Sequence, residues 1–158
     1  MNFTKWLAGA CIFFSTSLVI ATAETTRDRA VTFTEGAQQN SETAFITAAE
    51  LKAKLEKNEP VTIIDVRGSS SMLASDSKIK GAVYVKLRRL KYRLGFPPLK
   101  DVPKNREVVT YCACPNDESS VMAAKTLRET GFTRVRVLKG GWVVWKKSKG
   151  QVEPMTRG

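Results

Sequence analysis

A mostly apolar run from Trp6 to Ile20 opens the chain, a polar stretch from Glu24 to Thr43 follows, and regular periodicity begins only at Phe45-Ile46. Thr47-Ala48-Ala49-Glu50 fits a capping box, in which the threonine caps a helix start and the glutamate reaches back to the free amide. Leu51 and Leu55 fall on one face of the helix this predicts, and Asn58 and Pro60 end it. Val61 to Val66 is a short apolar run of the kind a buried parallel strand shows. Gly68 and a serine cluster break it, and Ala82 to Val85 predicts a second short strand. Leu87, Leu90 and Leu94 recur at helical spacing, with Arg88, Arg89, Lys91 and Arg93 on the other faces. After a loop at Gly95, Pro97 and Pro98, Glu107 to Ala113 reads as a central strand rich in β-branched and aromatic residues. Val121 to Thr130 is helical and ends at Gly131, Thr133 to Leu138 is another strand, and Gly140-Gly141 turns into a last helix carrying Trp142 and Trp145. Strands alternating with helices predict an α/β fold, a small and mostly parallel sheet covered by helices on both faces.

The first 23 residues are of another kind. Lys5, the apolar run and Ala21-Thr22-Ala23 have the positive start, apolar core and small-residue end of a secretory signal peptide. The alternative is an uncleaved membrane anchor, against which Gly9, Ser15, Thr16 and Ser17 interrupt the run. Cys11 lies mid-core and does not fit a lipidation site. The expected organisation is a signal peptide over 1–23, a flexible polar arm over 24–44, one domain over 45–150 and a tail over 151–158. The expected destination is the periplasm or the exterior, with membrane contact only if the leader stays attached.

Charge and cysteine usage narrow the chemistry. The net charge is +11, of which the leader holds only Lys5. Such a surface attracts small oxyanions, acidic proteins or phospholipid headgroups. Export and the lack of an aromatic-interleaved basic motif argue against nucleic acid. No histidine exists, which removes imidazole bases and His-ligated metals, and two sulfurs in a C-x-C are too few for a closed zinc site. No metal or cofactor is expected. In parallel sheets, sites form beyond the carboxyl ends of the strands. That rule selects Asp65-Val66-Arg67 and the segment Cys114-Pro115-Asn116-Asp117-Glu118-Ser119.

Four segments, in order, now resemble the rhodanese family. They are Ile63-Ile64-Asp65-Val66-Arg67, Ile79-Lys80-Gly81-Ala82, Tyr111 to Ala124, and Lys139-Gly140-Gly141-Trp142-Val143-Val144-Trp145. The resemblance spans Phe45 to about Lys149. It implies a five-stranded sheet and a sulfurtransferase cycle, in which a cysteine thiolate takes a sulfane sulfur as a persulfide and passes it to a thiol or other nucleophile. It also implies a loop that opens with the catalytic cysteine. Counting back from Ala123-Ala124 without gaps places that cysteine at Cys114, with a substrate-binding loop from Pro115 through Asn116, Asp117, Glu118 and Ser119 to Ser120. Counting from the Tyr-Cys step instead points to Cys112, with two inserted residues.

A ring of loop amides around the thiolate is the expected source of a depressed pKa. Cys112 lies on the same strand face as Cys114, as a packing residue or as a resolving thiol. Proline, aspartate and glutamate replace the glycine and basic residue that many relatives carry, and carboxylates beside a thiolate disfavour an anionic donor such as thiosulfate. A small sulfur donor and a persulfide-carrying protein both remain as partners. The loop also lacks the arginine that related phosphatases use to grip phosphate. Asp65 and Arg67 are expected to brace their loop or to border the pocket, Ser119 to cap or brace, and the two tryptophans to pack. The alternatives to an enzyme are a non-catalytic binding or sulfur-carrier module and a thiol-disulfide protein using both cysteines.

Overall fold

The computed structural model describes residues 43–155; the leader and nearly all of the polar arm lie outside the described residues. Chain order begins with β1 (Phe45–Ile46), α1 (Ala48–Glu56), β2 (Val61–Asp65), α2 (Ser69–Leu73), β3 (Ser77–Ile79) and β4 (Val83–Tyr84). A 3-10 turn at Leu87–Arg89, α3 (Leu90–Arg93) and a second turn at Leu99–Asp101 lead into β5 (Glu107–Tyr111). Then come α4 (Glu118–Glu129), β6 (Arg134–Leu138), α5 (Gly141–Lys147) and β7 (Val152–Pro154).

The main sheet has five strands in the order β1-β6-β5-β2-β4. Every pairing in it is parallel. β5 lies at its centre with all its residues buried, as its β-branched composition requires. Successive strand residues point to opposite faces, so each strand feeds two cores. Ile64, Val108, Val135 and Val137 meet Leu90 of α3 and Ala123, Ala124 and Leu127 of α4 on one face. Ile63, Val109, Tyr111 and Leu138 meet Ala48 and Leu51 of α1 and Trp142 and Trp145 of α5 on the other. The expected layers are present on both faces.

Local signals explain the ends of elements. Thr47 Oγ1 accepts the Glu50 amide at 3.2 Å while Glu50 Oε2 accepts the Thr47 amide at 2.8 Å, the predicted capping box. Gly131, at φ +95°, closes α4 with its amide donating to Arg128.

Three features differ from the sequence expectation. The central strand stops at Tyr111, because the Cys112 carbonyl accepts the Trp142 amide at 2.8 Å instead of continuing the ladder. The serine cluster after Gly68 forms α2. Val152–Pro154, expected to be tail, is β7 and pairs antiparallel with β3.

Candidate active site at the carboxyl end of the sheet

Beyond β5 the chain bends at Ala113 and descends through Cys114 and Pro115 to Asp117, from which α4 departs. Asp117 adopts a left-handed conformation, φ 55°, unusual for a residue with a side chain. Its buried carboxylate explains the tolerance: Oδ2 accepts the Gly140 amide at 2.8 Å, and its carbonyl accepts the Ser120 hydroxyl at 2.8 Å. The loop is therefore tied to the Gly140-Gly141 turn. Gly141 has to be glycine here. At φ +46°, a Cβ on it would stand 2.2 Å from the Cys112 carbonyl oxygen.

The two cysteines are both free. They pack against the same core cluster, as expected for positions on one strand face, but their surroundings differ. Cys112 is fully buried, and its Sγ accepts the Cys114 amide at 3.3 Å and lies 3.4 Å from Ser120 Oγ. Burial pushes its thiol pKa up, partly offset by the Ser120 hydroxyl and the Cys114 amide. Cys114 is partly exposed, with Sγ 3.2 Å from Ser119 Oγ. Desolvation raises its pKa, but the hydroxyl and amide of Ser119 and the neighbouring Cys112 thiol lower it further than burial raises it. The net direction is down.

One expectation needs correction. No ring of main-chain amides surrounds Cys114; the donors are divided, Ser119 serving Cys114 while the Cys114 amide serves Cys112. The physical reason is the bend at Ala113, which turns the Cys114 amide back toward the preceding thiol. The two loop carboxylates face different ways. Glu118 is exposed and opposes ionisation of Cys114, whereas Asp117 points inward to Gly140. Pro115 and Asn116 are exposed at the loop tip.

Asp65 and Arg67 form a buried pair at the end of β2. Arg67 Nε contacts both carboxylate oxygens at 3.0 Å, and Nη2 reaches Oδ2 at 2.7 Å and the Ser77 carbonyl at 3.0 Å. Asp65 Oδ2 also accepts the Tyr111 hydroxyl at 2.8 Å, and that hydroxyl accepts the Ile79 amide at 3.2 Å. Burial first, then the Asp65 charge, pushes the Tyr111 phenol far above its ordinary range, so it stays a donor. The Arg67 guanidinium lies 4.4 Å from the Trp142 ring centre, so that tryptophan packs beneath the pair.

Arg67, although buried, also borders a cleft. With Gly68, Ser69, Tyr84, Lys86, Arg88 and Ser119 it lines a cleft of about 410 Å³. Ser119 thus joins the cleft wall to the Cys114 thiol. Arg67 Nη1 and the Tyr84 hydroxyl are buried without a partner among the described residues, and both belong to cleft-lining side chains. Tyr84, Lys86 and the cleft-facing role of Arg88 escaped the sequence reading. The strand-end rule, applied to β4 as it was to β2 and β5, would have found the first two.

A thiol loop and a buried Asp-Arg pair at the carboxyl ends of parallel strands, locked by a Gly-Gly turn, define a rhodanese-type α/β module. The model of the rhodanese-like domain matches residues 47–148, and the chain belongs to that family. A sulfurtransferase from Allochromatium vinosum is 26% identical over 102 residues, 65% of this chain and 87% of the relative. The crystal structure of the Alr3790 protein from Anabaena sp. is 35% identical, with a TM-score of 0.59 over 70% of this chain and 82% of that one. A protein of unknown function from Rhodopseudomonas palustris, described as a possible tyrosine phosphatase, is 26% identical with a TM-score of 0.58 over 72% and 87%.

Proposed function

We propose that the protein is a sulfurtransferase in which Cys114 takes a sulfane sulfur as a persulfide and hands it to a thiol or another nucleophile. One observation carries this reading: the more exposed of the two thiols lies 3.2 Å from the hydroxyl of Ser119, which lines a cleft carrying Lys86 and Arg88. The thiolate attacks the outer sulfur of the donor, the donor's S–S bond breaks, and the leaving group departs with the electron pair. An acceptor thiolate then takes the outer sulfur and Cys114 leaves as thiolate. Ser119 supports the anion in both states, and the exposed Lys86 and Arg88 give the cleft the sign to receive a negative donor.

The inward turn of Asp117 removes part of the objection to an anionic donor, so thiosulfate and a protein-borne persulfide both suit the cleft. A phosphatase activity suits it less, since no arginine stands between Cys114 and Leu127 to cradle phosphate. The leader pattern supports an exported protein, periplasmic or secreted.

Mass spectrometry of the full chain after thiosulfate or polysulfide treatment tests the proposal. Both cysteines fall in one tryptic peptide, Glu107 to Lys125, which separates them from Cys11. A sulfur adduct of about 32 Da on this peptide is expected, absent in Cys114→Ala. An adduct that survives Cys114→Ala and disappears in Cys112→Ala would move the nucleophile to Cys112.

A further inference from the structure

We propose that Cys112 is the resolving thiol of this site, able to discharge a persulfide on Cys114 as sulfide by closing a Cys112–Cys114 disulfide. The inference rests on the sulfurtransferase reading above. It assigns a second outcome to the same loaded cysteine, taken when no acceptor arrives.

Three observations carry it. First, Cys112 Sγ stands 3.3 Å from the Cys114 amide nitrogen, so its side chain already leans toward the residue it would bridge, across a two-residue span that on an extended strand is roughly 6.6 Å, the loose end of disulfide geometry. Both side chains stay on one face of the chain. Second, Cys112 is not held as a packing residue would be. Its sulfur accepts the amide of Cys114 itself at 3.3 Å and has Ser120 Oγ at 3.4 Å, inside a cluster otherwise built of Val, Leu, Ile, Ala and Phe. A buried cysteine that only fills space needs no such donor; a sulfur that becomes transiently anionic does. Third, Cys112 is fully buried while Cys114 is partly exposed, so an external thiol reaches only Cys114. Cys114 is the partner within reach of Cys112.

The step balances. Cys112 sulfur attacks Cys114 Sγ, a bond forms between the two cysteine sulfurs, and the bond from Cys114 Sγ to the outer sulfur breaks. Cys112 sulfur is oxidised from the thiol to the disulfide level, Cys114 sulfur exchanges one S–S bond for another without changing level, and the outer sulfur is reduced and leaves as hydrosulfide with the proton it carried. The Cys112 proton passes to the medium or to the leaving sulfide. Resetting the pair requires two electrons from an external dithiol, which attacks the more exposed Cys114 sulfur first.

The experiment loads the full chain anaerobically with one equivalent of polysulfide, without acceptor thiol. Sulfide release and the mass of the Glu107–Lys125 peptide are then followed together. The expected result is about one sulfide per chain and a peptide lighter by about 2 Da than the dithiol form, restored by a dithiol reductant. In Cys112→Ala and Cys112→Ser the peptide should keep its extra sulfur and release no sulfide. A wild-type adduct that persists with both cysteines unbridged overturns the inference and leaves the sulfurtransferase reading standing. A bridge that forms equally well without any sulfur donor also overturns it. No adduct, bridge or sulfide in wild type or variants sinks the sulfurtransferase reading instead.

Discussion

Cys112 and Cys114 are two residues apart and ionise in opposite directions, because a thiol responds to its solvent and donors rather than to its place in sequence. Desolvation dominates at Cys112; at Cys114 it is outweighed by the Ser119 hydroxyl and amide together with the Cys112 thiol. The thiolate is the reactive form, so alkylation rate against pH reads the ionisation directly. Labelling at Cys114 should reach half its maximum at a lower pH than the slower labelling of the buried Cys112. In Ser119→Ala the Cys114 midpoint should move up, since a group that favours the anion is gone. Fragmentation of the labelled Glu107–Lys125 peptide separates the two sites, and equal midpoints for both would contradict the assignment.

Gly141 gives a second residue-scale test. Alanine there needs a left-handed backbone and meets the Cys112 carbonyl at 2.2 Å, so the turn has to move. Strained positions of this kind cost about 1–3 kcal/mol before the clash is counted. Gly141→Ala should therefore lower the urea midpoint visibly, whereas alanine at Gly68, which has φ −62° and open space around its Cβ, should change it little.

At the scale of elements, the Tyr111 hydroxyl ties β5 to β2 through Asp65 and to β3 through the Ile79 amide. Phenylalanine would leave the packing nearly intact but strand a buried amide and remove one donor from a buried carboxylate. Losing such partners costs about 1–3 kcal/mol, so Tyr111→Phe should be destabilised by that order in chemical denaturation. A change below about 0.5 kcal/mol, the range of an ordinary surface substitution, would mean the network is replaced by solvent. The same elements show what sequence could reveal. The capping box, the apolar run of β2, the β-branched β5 and Gly131 each carry their signal in a few adjacent residues. β3 and β7 do not. Each is three residues long, and they are joined by a pairing between Ser77 and Pro154 that no local pattern announces. The site followed the same division. Both cysteines and the Asp-Arg pair were legible from strand ends, but the turn of Asp117 was not, because its partner is the Gly140 amide, distant in sequence. The split of donors between two thiols was hidden too, since it depends on one bend at Ala113.

On the scale of the whole molecule, a net charge of +11 gains meaning from where it lies. Lys86 and Arg88 are exposed on the wall of the cleft that Ser119, the neighbour of the Cys114 thiol, also lines. The exposed Arg89, Lys91 and Lys100 follow nearby in sequence. Arg89, Lys91 and Lys100 form no ion pair among the described residues, so their field is not cancelled by near neighbours. A field of this sign concentrates an anionic donor before any contact forms, and salt screens it over about 10 Å at 0.1 M. For thiosulfate as donor, kcat/KM should fall as ionic strength rises, whereas an uncharged organic persulfide should show little dependence. The double variant Lys86→Glu, Arg88→Glu reverses two charges at the wall and should raise KM for thiosulfate by about three- to tenfold. Its kcat should change far less, since the Cys114 thiol is held by Ser119 Oγ at 3.2 Å rather than by either cation. Lys147→Glu makes the control: it reverses a charge at the far end of α5, whose first residues pack against Cys112. If both variants raise KM alike, the effect belongs to overall charge and the cleft is not the entrance. If only the first does, the donor reaches Cys114 past Lys86 and Arg88, and the basic character of the chain is part of how it collects sulfur.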